Sequence, residues 1–267
     1  MPTVTANGIQ LYYELHGPDD AEVLVLSNGV LMSTASWAFQ TPAFSEHHRL
    51  LLYDCRGMWQ SDHPPGPYSM ELHADDLAAL LHALDIQEAH IGGTSYGAEI
   101  SMVFANQYPE MTRSLIVTSA VSHLDRLLQG MLDIWLAATR AQDPDLLFKA
   151  VYPLTFSEAW MTGNQETLDL ARQRYELLDM DAFLALLLSF QQLDVTADLG
   201  RIQAPTLVVV GELDLLKPRK YSEIIAAAIP GAELAVIPHA GHAAMWEQPE
   251  VFNSLILGFL RKHAGRP

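Results

Sequence analysis

One cysteine, Cys55, is all that this 267-residue chain contains. A single thiol excludes an intrachain disulfide and a thiolate metal cluster. Basic residues are also scarce: Lys and Arg total 15 against 32 Asp and Glu, a formal net charge of −17. That balance argues against nucleic acid as a partner, because phosphate recognition needs a basic face. It argues equally against docking on anionic membranes. No apolar run approaches the roughly 18 residues that suggest a membrane span. The first residues, Met1-Pro2-Thr3-Val4-Thr5-Ala6, lack the basic and apolar regions of a secretory leader. These absences together predict a cytoplasmic protein with no membrane partner.

What remains is ordinary globular composition, 49% hydrophobic and 18% charged, enough to build a sizeable core. Asn7-Gly8 between two apolar segments predicts a hairpin. Val23–Leu26 and Leu50–Tyr53 read as buried strands. Ser69 caps a helix whose apolar face holds Leu72, Leu77, Leu80, Leu81 and Leu84. Strands follow around His90-Ile91 and Leu115–Val117, with a helix between them. This alternation demands crossover connections and predicts an α/β protein with a mostly parallel sheet. From about Ser122 to Leu199 the strand pattern stops, and Leu, Met, Phe and Trp recur at helical spacing. Alternation returns at Thr206–Gly211. Three segments result: a core part at 1–121, a helical insertion at 122–199, and a second core part at 200–267.

Gly93-Thr94-Ser95-Tyr96-Gly97 fits the pattern G-x-S-x-G. The pattern alone says little, but here it follows a strand and opens a helix, as a nucleophile elbow requires. The turn must be sharp enough to lift the serine hydroxyl clear of the sheet, and glycine lets the neighbouring backbone pass. A serine hydroxyl needs a base to take its proton, and the base needs a carboxylate to orient it. His242 and Asp214 each lie just past the end of a strand, where α/β sheets place their ligands. Glu212 is the rival acid and His239 the rival base. Asp214 is preferred for its greater distance from the strand, and His239 sits too near a strand end. No metal pair is expected from His239 and His242 without further ligands.

With these motifs the chain resembles the α/β-hydrolase superfamily over nearly its whole length. Ser27-Asn28, Gly66-Pro67-Tyr68-Ser69-Met70, Ala240-Gly241-His242 and Glu247-Gln248-Pro249-Glu250 resemble the 3-oxoadipate enol-lactone hydrolases and small carboxylesterases. The resemblance implies an α/β-hydrolase fold: eight strands, mostly parallel, helices on both faces, and a helical cap after the sixth strand. It implies Ser95, His242 and Asp214 as catalytic residues, with the backbone N–H groups of Tyr96 and Val30 as the oxyanion hole. It implies no metal and no cofactor. Two departures stand out. Trp59 occupies a position where relatives carry glycine, and Asn28 replaces a histidine that braces the oxyanion loop. The pocket is expected to include Asn28, Leu31, Trp59, Trp135 and Trp160.

The cap's apolar content (Met131, Trp135, Phe148, Phe156, Trp160, Phe183, Phe190) favours a mostly apolar substrate. The spacing of Arg126, Arg140, Arg172 and Arg174 reads as solvated helix faces, with no arginine cluster for a di-acid, which counts against a dicarboxylate enol-lactone as substrate; Asp143, Asp145, Asp179 and Asp181 read as solvated surface. The expected reaction is hydrolysis of a small-molecule ester or lactone through an acyl-enzyme. Two alternatives keep the same triad: a C–C bond hydrolase and a cofactor-free perhydrolase. An epoxide hydrolase or dehalogenase is disfavoured, since those relatives carry aspartate where Ser95 stands. A receptor that binds without turnover is the alternative from another class. A homodimer is left open.

Overall fold

The computed structural model describes residues 2–265, so Met1, Arg266 and Pro267, the outermost positions of the two core segments, lie outside the described residues. Eight strands form one sheet: β1 (Thr3–Ala6), β2 (Ile9–His16), β3 (Val23–Ser27), β4 (Arg49–Tyr53), β5 (Ala89–Thr94), β6 (Thr112–Thr118), β7 (Thr206–Gly211) and β8 (Glu233–Ile237). Their order across the sheet is β1-β2-β4-β3-β5-β6-β7-β8. β2 runs antiparallel to both β1 and β4, and every pairing from β4 to β8 is parallel. The first connection is the predicted hairpin, with Asn7 at φ 48° and Gly8 at φ 80°. Two consecutive positive φ angles match the turn to the right-handed twist of its strands.

The central strands read as unbroken apolar runs because helices cover both faces. Alternate residues serve opposite layers. Leu24, Leu26, Leu50 and Leu52 pack with Phe44, Phe252 and Ile256 on one face. Val25, Leu51 and Ile91 pack with Leu77, Leu80, Ile100 and Phe104 on the other. The helices are α1 (Thr41–Ser45), α2 (Met70–Ala83), α3 (Tyr96–Gln107), α4 (Arg126–Arg140), α5 (Pro144–Thr155), α6 (Glu158–Gly163), α7 (Gln165–Tyr175), α8 (Met180–Gln191), α9 (Arg219–Ala228), α10 (Ala244–Glu247) and α11 (Pro249–His263). Ser69 Oγ accepts from the Leu72 N–H at 3.1 Å, so the cap read from sequence is formed. No helix among the described residues is long and apolar enough to cross a membrane.

The segment between β6 and β7 holds α4 to α8 and stands over the ends of the parallel strands. It is not wholly free of strand pairing, since His123 and Asp194 form an isolated antiparallel bridge. Beside that bridge the Val195 N–H donates to Ser122 O at 2.8 Å, and Thr196 Oγ1 donates to Ser122 Oγ at 3.0 Å. The two ends of the insertion therefore meet in one narrow neck. Two of its acidic residues, expected on solvated surface, also have defined work there. Asp143 accepts from the Leu146 N–H, and Asp179 accepts from the Asp181 and Ala182 N–H groups. These are N-caps, which satisfy donors that a helix start cannot.

Candidate active site

Ser95 closes β5 and opens α3 with φ 54° and ψ −119°. A non-glycine residue in that region is strained by about 1–3 kcal/mol, a cost that surrounding structure must overrule. Here the Ser95 N–H donates to Thr118 O at 2.8 Å, pinning the turn to β6. The flanking glycines leave no room for a side chain. A Cβ on Gly97 would lie 2.1 Å from Ser27 O, and one on Gly93 would lie 2.5 Å from the Gly97 carbonyl. These obstacles are backbone and cannot swing aside. Gly97→Ala is expected to destabilise the fold by about 3 kcal/mol, read as a shift of the urea midpoint at constant slope. An unchanged midpoint would show that the elbow has slack.

His242 and Asp214 meet. Asp214 Oδ2 lies 2.8 Å from His242 Nδ1, and both residues are buried. The other carboxylate oxygen accepts from the Lys217 N–H at 2.7 Å. Nε2 is the ring nitrogen that remains. Ser95 and His242 line one cavity, and no direct hydrogen bond joins them among the described residues. Catalytic hydrogen bonds are often loose before substrate arrives. The rival carboxylate is engaged away from the site: Glu212 Oε2 accepts from the His239 backbone N–H at 3.0 Å, an exposed contact.

The elbow's next residue, Tyr96, is the first of α3, so its N–H has no acceptor within the helix. Its side chain points away, its hydroxyl 2.8 Å from His73 Nε2. Burial drives the His73 pKa down to about 3, so that imidazole stays neutral. Val30 faces Ser95 across both cavities described below. Its loop is held by Asn28, which was expected in the pocket wall and is instead wholly buried behind it. Asn28 Nδ2 donates to Tyr53 O and to Asp54 Oδ1, and its Oδ1 accepts from Trp37 Nε1 at 2.8 Å. The asparagine thus keeps a bracing role although the family's histidine is gone.

Asp54 is the hub of this brace. It also accepts from the Thr34 N–H at 2.9 Å and the Gln60 N–H at 3.2 Å. Burial outweighs these bonds and raises its pKa from 3.8 to about 6. A carboxyl whose pKa is raised by folding stabilises the fold below its unfolded value and loses that contribution as pH rises. Wild-type stability relative to Asp54→Asn is therefore expected to fall between pH 4 and pH 6. Urea titrations of both proteins across that range check it; parallel curves would refute it.

The chamber around Ser95 has two lobes. The larger, about 950 Å³ including its open mouth, is lined by Leu31, Trp59, Trp135, Phe148, Phe156, Arg174 and Trp246, among others. The smaller, about 440 Å³, lies between α4 and α8 and is lined by Met131, Trp135, Phe190, Glu99 and Lys217. Of the residues expected in the pocket, Leu31, Trp59 and Trp135 line this cavity. Trp160 does not: it stacks behind Phe156 with ring centroids 4.3 Å apart, one layer outside the wall. Phe183 is core. Trp59 has φ 42°, so the backbone keeps a glycine-like conformation although an indole now fills the position.

Three side chains at the site were not singled out from sequence. Glu99 and Lys217 form a buried ion pair at 2.5 Å in the smaller lobe. Burial raises the Glu99 carboxyl while Lys217 pulls it back down. Arg174, read as solvated, lines the larger lobe. The signal was present: Ala171, Arg174 and Tyr175 all line that lobe, and their i, i+3, i+4 spacing within α7 marks one helical face.

Known proteins agree with this architecture. The model of the alpha/beta hydrolase fold matches residues 22–249. A RutD protein of Azorhizobium caulinodans, named as a proposed carbamate hydrolase, is 29% identical over 97% of this chain and 98% of its own length. Among solved structures, an α/β-hydrolase enzyme from a Medee basin deep-sea metagenome library, MGS-M2, is similar at 32% identity. Its TM-score is 0.89, with 97% of each chain covered. The enol-lactonase of Burkholderia xenovorans LB400 is 25% identical with a TM-score of 0.91, covering 97% of this chain and all (100%) of that one. The sheet order, the elbow at Ser95 and these matches lead to one conclusion: the chain belongs to the α/β-hydrolase family.

Proposed function

We propose that this hydrolase cleaves a carboxylic ester or lactone of a small molecule by acyl transfer through Ser95. The observation that carries the reading is the buried Asp214–His242 contact at 2.8 Å, behind a histidine that lines the same chamber as the strained Ser95. Ser95 attacks the substrate carbonyl while His242 Nε2 takes its proton. Asp214 holds the Nδ1–H tautomer and stabilises the imidazolium. The N–H groups of Val30 and Tyr96 receive the negative charge that develops on the carbonyl oxygen, a pair in which one donor is typically worth about 10²–10³ in rate. The protonated histidine then gives its proton to the leaving alkoxide. Water, deprotonated by the same ring, releases the acid and restores Ser95. The insertion at 122–199 acts as a cap that keeps bulk water from this sequence.

A fluorophosphonate probe tests the reading without knowledge of the substrate. Covalent label on Ser95, absent in His242→Ala, is expected. A folded protein that takes no label would overturn it. A carbamate is the second reading, favoured by the relatives that bear that name at about 29–30% identity. The same attack on a carbamate carbonyl would release an amine or ammonia, and product analysis separates the two.

A further inference from the structure

We infer that Arg174 forms an anion subsite in the larger lobe, so that the substrate carries a carboxylate on the portion lodged there. This rests on the acyl-transfer reading of the same chamber and names the class of substrate it takes.

Four observations support it. First, Arg174 lacks a counter-ion. Among the described residues lining the larger lobe there is no Asp, Glu or Lys, and no carboxylate lies within ion-pair reach of its guanidinium. Its neighbour Arg172, on the outer face of the same helix, pairs with Asp145 at 2.5 Å. Second, its donors are barely used. Arg174 Nη2 donates to Ser33 Oγ at 3.1 Å, its one hydrogen bond among the described residues, while a guanidinium carries five donors. Third, the guanidinium is held in place. It lies over the Trp59 ring, 4.4 Å from the centroid, which fixes the plane of its fork. Fourth, the site disfavours an unpaired cation. Burial lowers the Arg174 pKa from its ordinary value. The opposing charge that acts on it is Asp54, which is engaged by Asn28, Thr34 and Gln60.

A half-buried cation in an apolar chamber gains from a bound anion, and a planar fork suits a carboxylate bidentately. Trp59 gives the arrangement its platform. The strained φ 42° at that residue is the backbone cost of carrying an indole where glycine would sit without strain. The smaller lobe differs in kind, since its Lys217 is already neutralised by Glu99. The anionic end is therefore assigned to the larger lobe.

The test uses methyl half-esters of linear five- to seven-carbon dicarboxylic acids, each against the neutral methyl ester of equal carbon count, with acid release followed in a pH-stat. Wild type is expected to prefer one or more half-esters by at least about tenfold in kcat/KM, the worth of one charge-assisted bond. In Arg174→Gln that preference ratio should collapse toward one, with the loss carried by KM. No preference in wild type would overturn the subsite. So would a ratio that survives in Arg174→Gln, which would make the guanidinium a latch between α7 and the Trp59 loop. A second arm does not need turnover. Glutarate, adipate and pimelate should raise the Tm of Ser95→Ala but not of Ser95→Ala/Arg174→Gln. Equal shifts, or none, in both would also overturn it. Absence of fluorophosphonate label together with a dicarboxylate shift dependent on Arg174 would instead defeat the acyl-transfer reading and leave the anion subsite standing.

Discussion

Ser95→Ala is expected to lower kcat on an activated acyl ester by at least about 10⁴-fold while leaving the protein folded. The reason lies in what the hydroxyl does and does not do. Ser95 caps α3 without a side-chain hydrogen bond to its first turn, so removing Oγ breaks no structural contact. The strained backbone is set by the N–H bond to Thr118 O and by the flanking glycines, and these persist in alanine. Stopped-flow acylation and thermal unfolding, measured on one preparation, separate the two effects. Residual turnover within about a hundredfold of wild type would exclude Ser95 as nucleophile. A large fall in Tm would mean that the hydroxyl is structural.

Asp214→Asn is expected to cost nearly as much, about 10⁴-fold in kcat at neutral pH. The mechanism can be read from hydrogen-bond polarity. One oxygen of Asp214 receives the Lys217 N–H at 2.7 Å and the other meets His242 Nδ1 at 2.8 Å. The Lys217 N–H can only donate, so the asparagine must turn its carbonyl oxygen that way. Its NH₂ then faces Nδ1, which becomes an acceptor, and the ring proton moves to Nε2. An imidazole with Nε2–H cannot take the Ser95 proton. Asp214→Glu, which keeps acceptors on both sides, should retain more activity than the isosteric asparagine. The pair is compared by kcat and by the imidazole nitrogen shifts in NMR. If Asp214→Asn kept wild-type kcat, the tautomer argument would fail.

Much of the scaffold was legible because it obeys local rules. Buried parallel strands must be apolar on both faces, so β3, β4 and β7 stand out as Val-Leu-Val-Leu, Leu-Leu-Leu-Tyr and Leu-Val-Val-Val. The elbow is legible because glycine is required on each side of Ser95. Asp214 could be preferred to Glu212 because it lies further past the strand, where a loop can bring a short carboxylate to a ring. The misreadings share one cause, the direction of a side chain. Asn28 was assigned to the pocket by its neighbours in sequence, yet residues along an extended segment alternate sides, and it faces Trp37 and Tyr53 instead. Trp160 was counted among the wall aromatics, but Phe156 stands between it and the cavity. The spacing of the cap arginines makes Arg174 read as solvated, yet it shares the lobe-facing side of its helix with Ala171 and Tyr175. Lys217 and Glu99 are 118 positions apart, and no local pattern announces such a pair.

The neck at Ser122–His123 and Asp194–Thr196 has an evolutionary and engineering corollary. Because the insertion leaves and re-enters the sheet at one point, its length does not affect the register of β6 against β7. A foreign helical module with termini of similar spacing could be spliced there while the elbow and the acid loop kept their positions. Substrate range on this scaffold can therefore diverge by exchanging whole modules, independently of the bond-breaking machinery beneath.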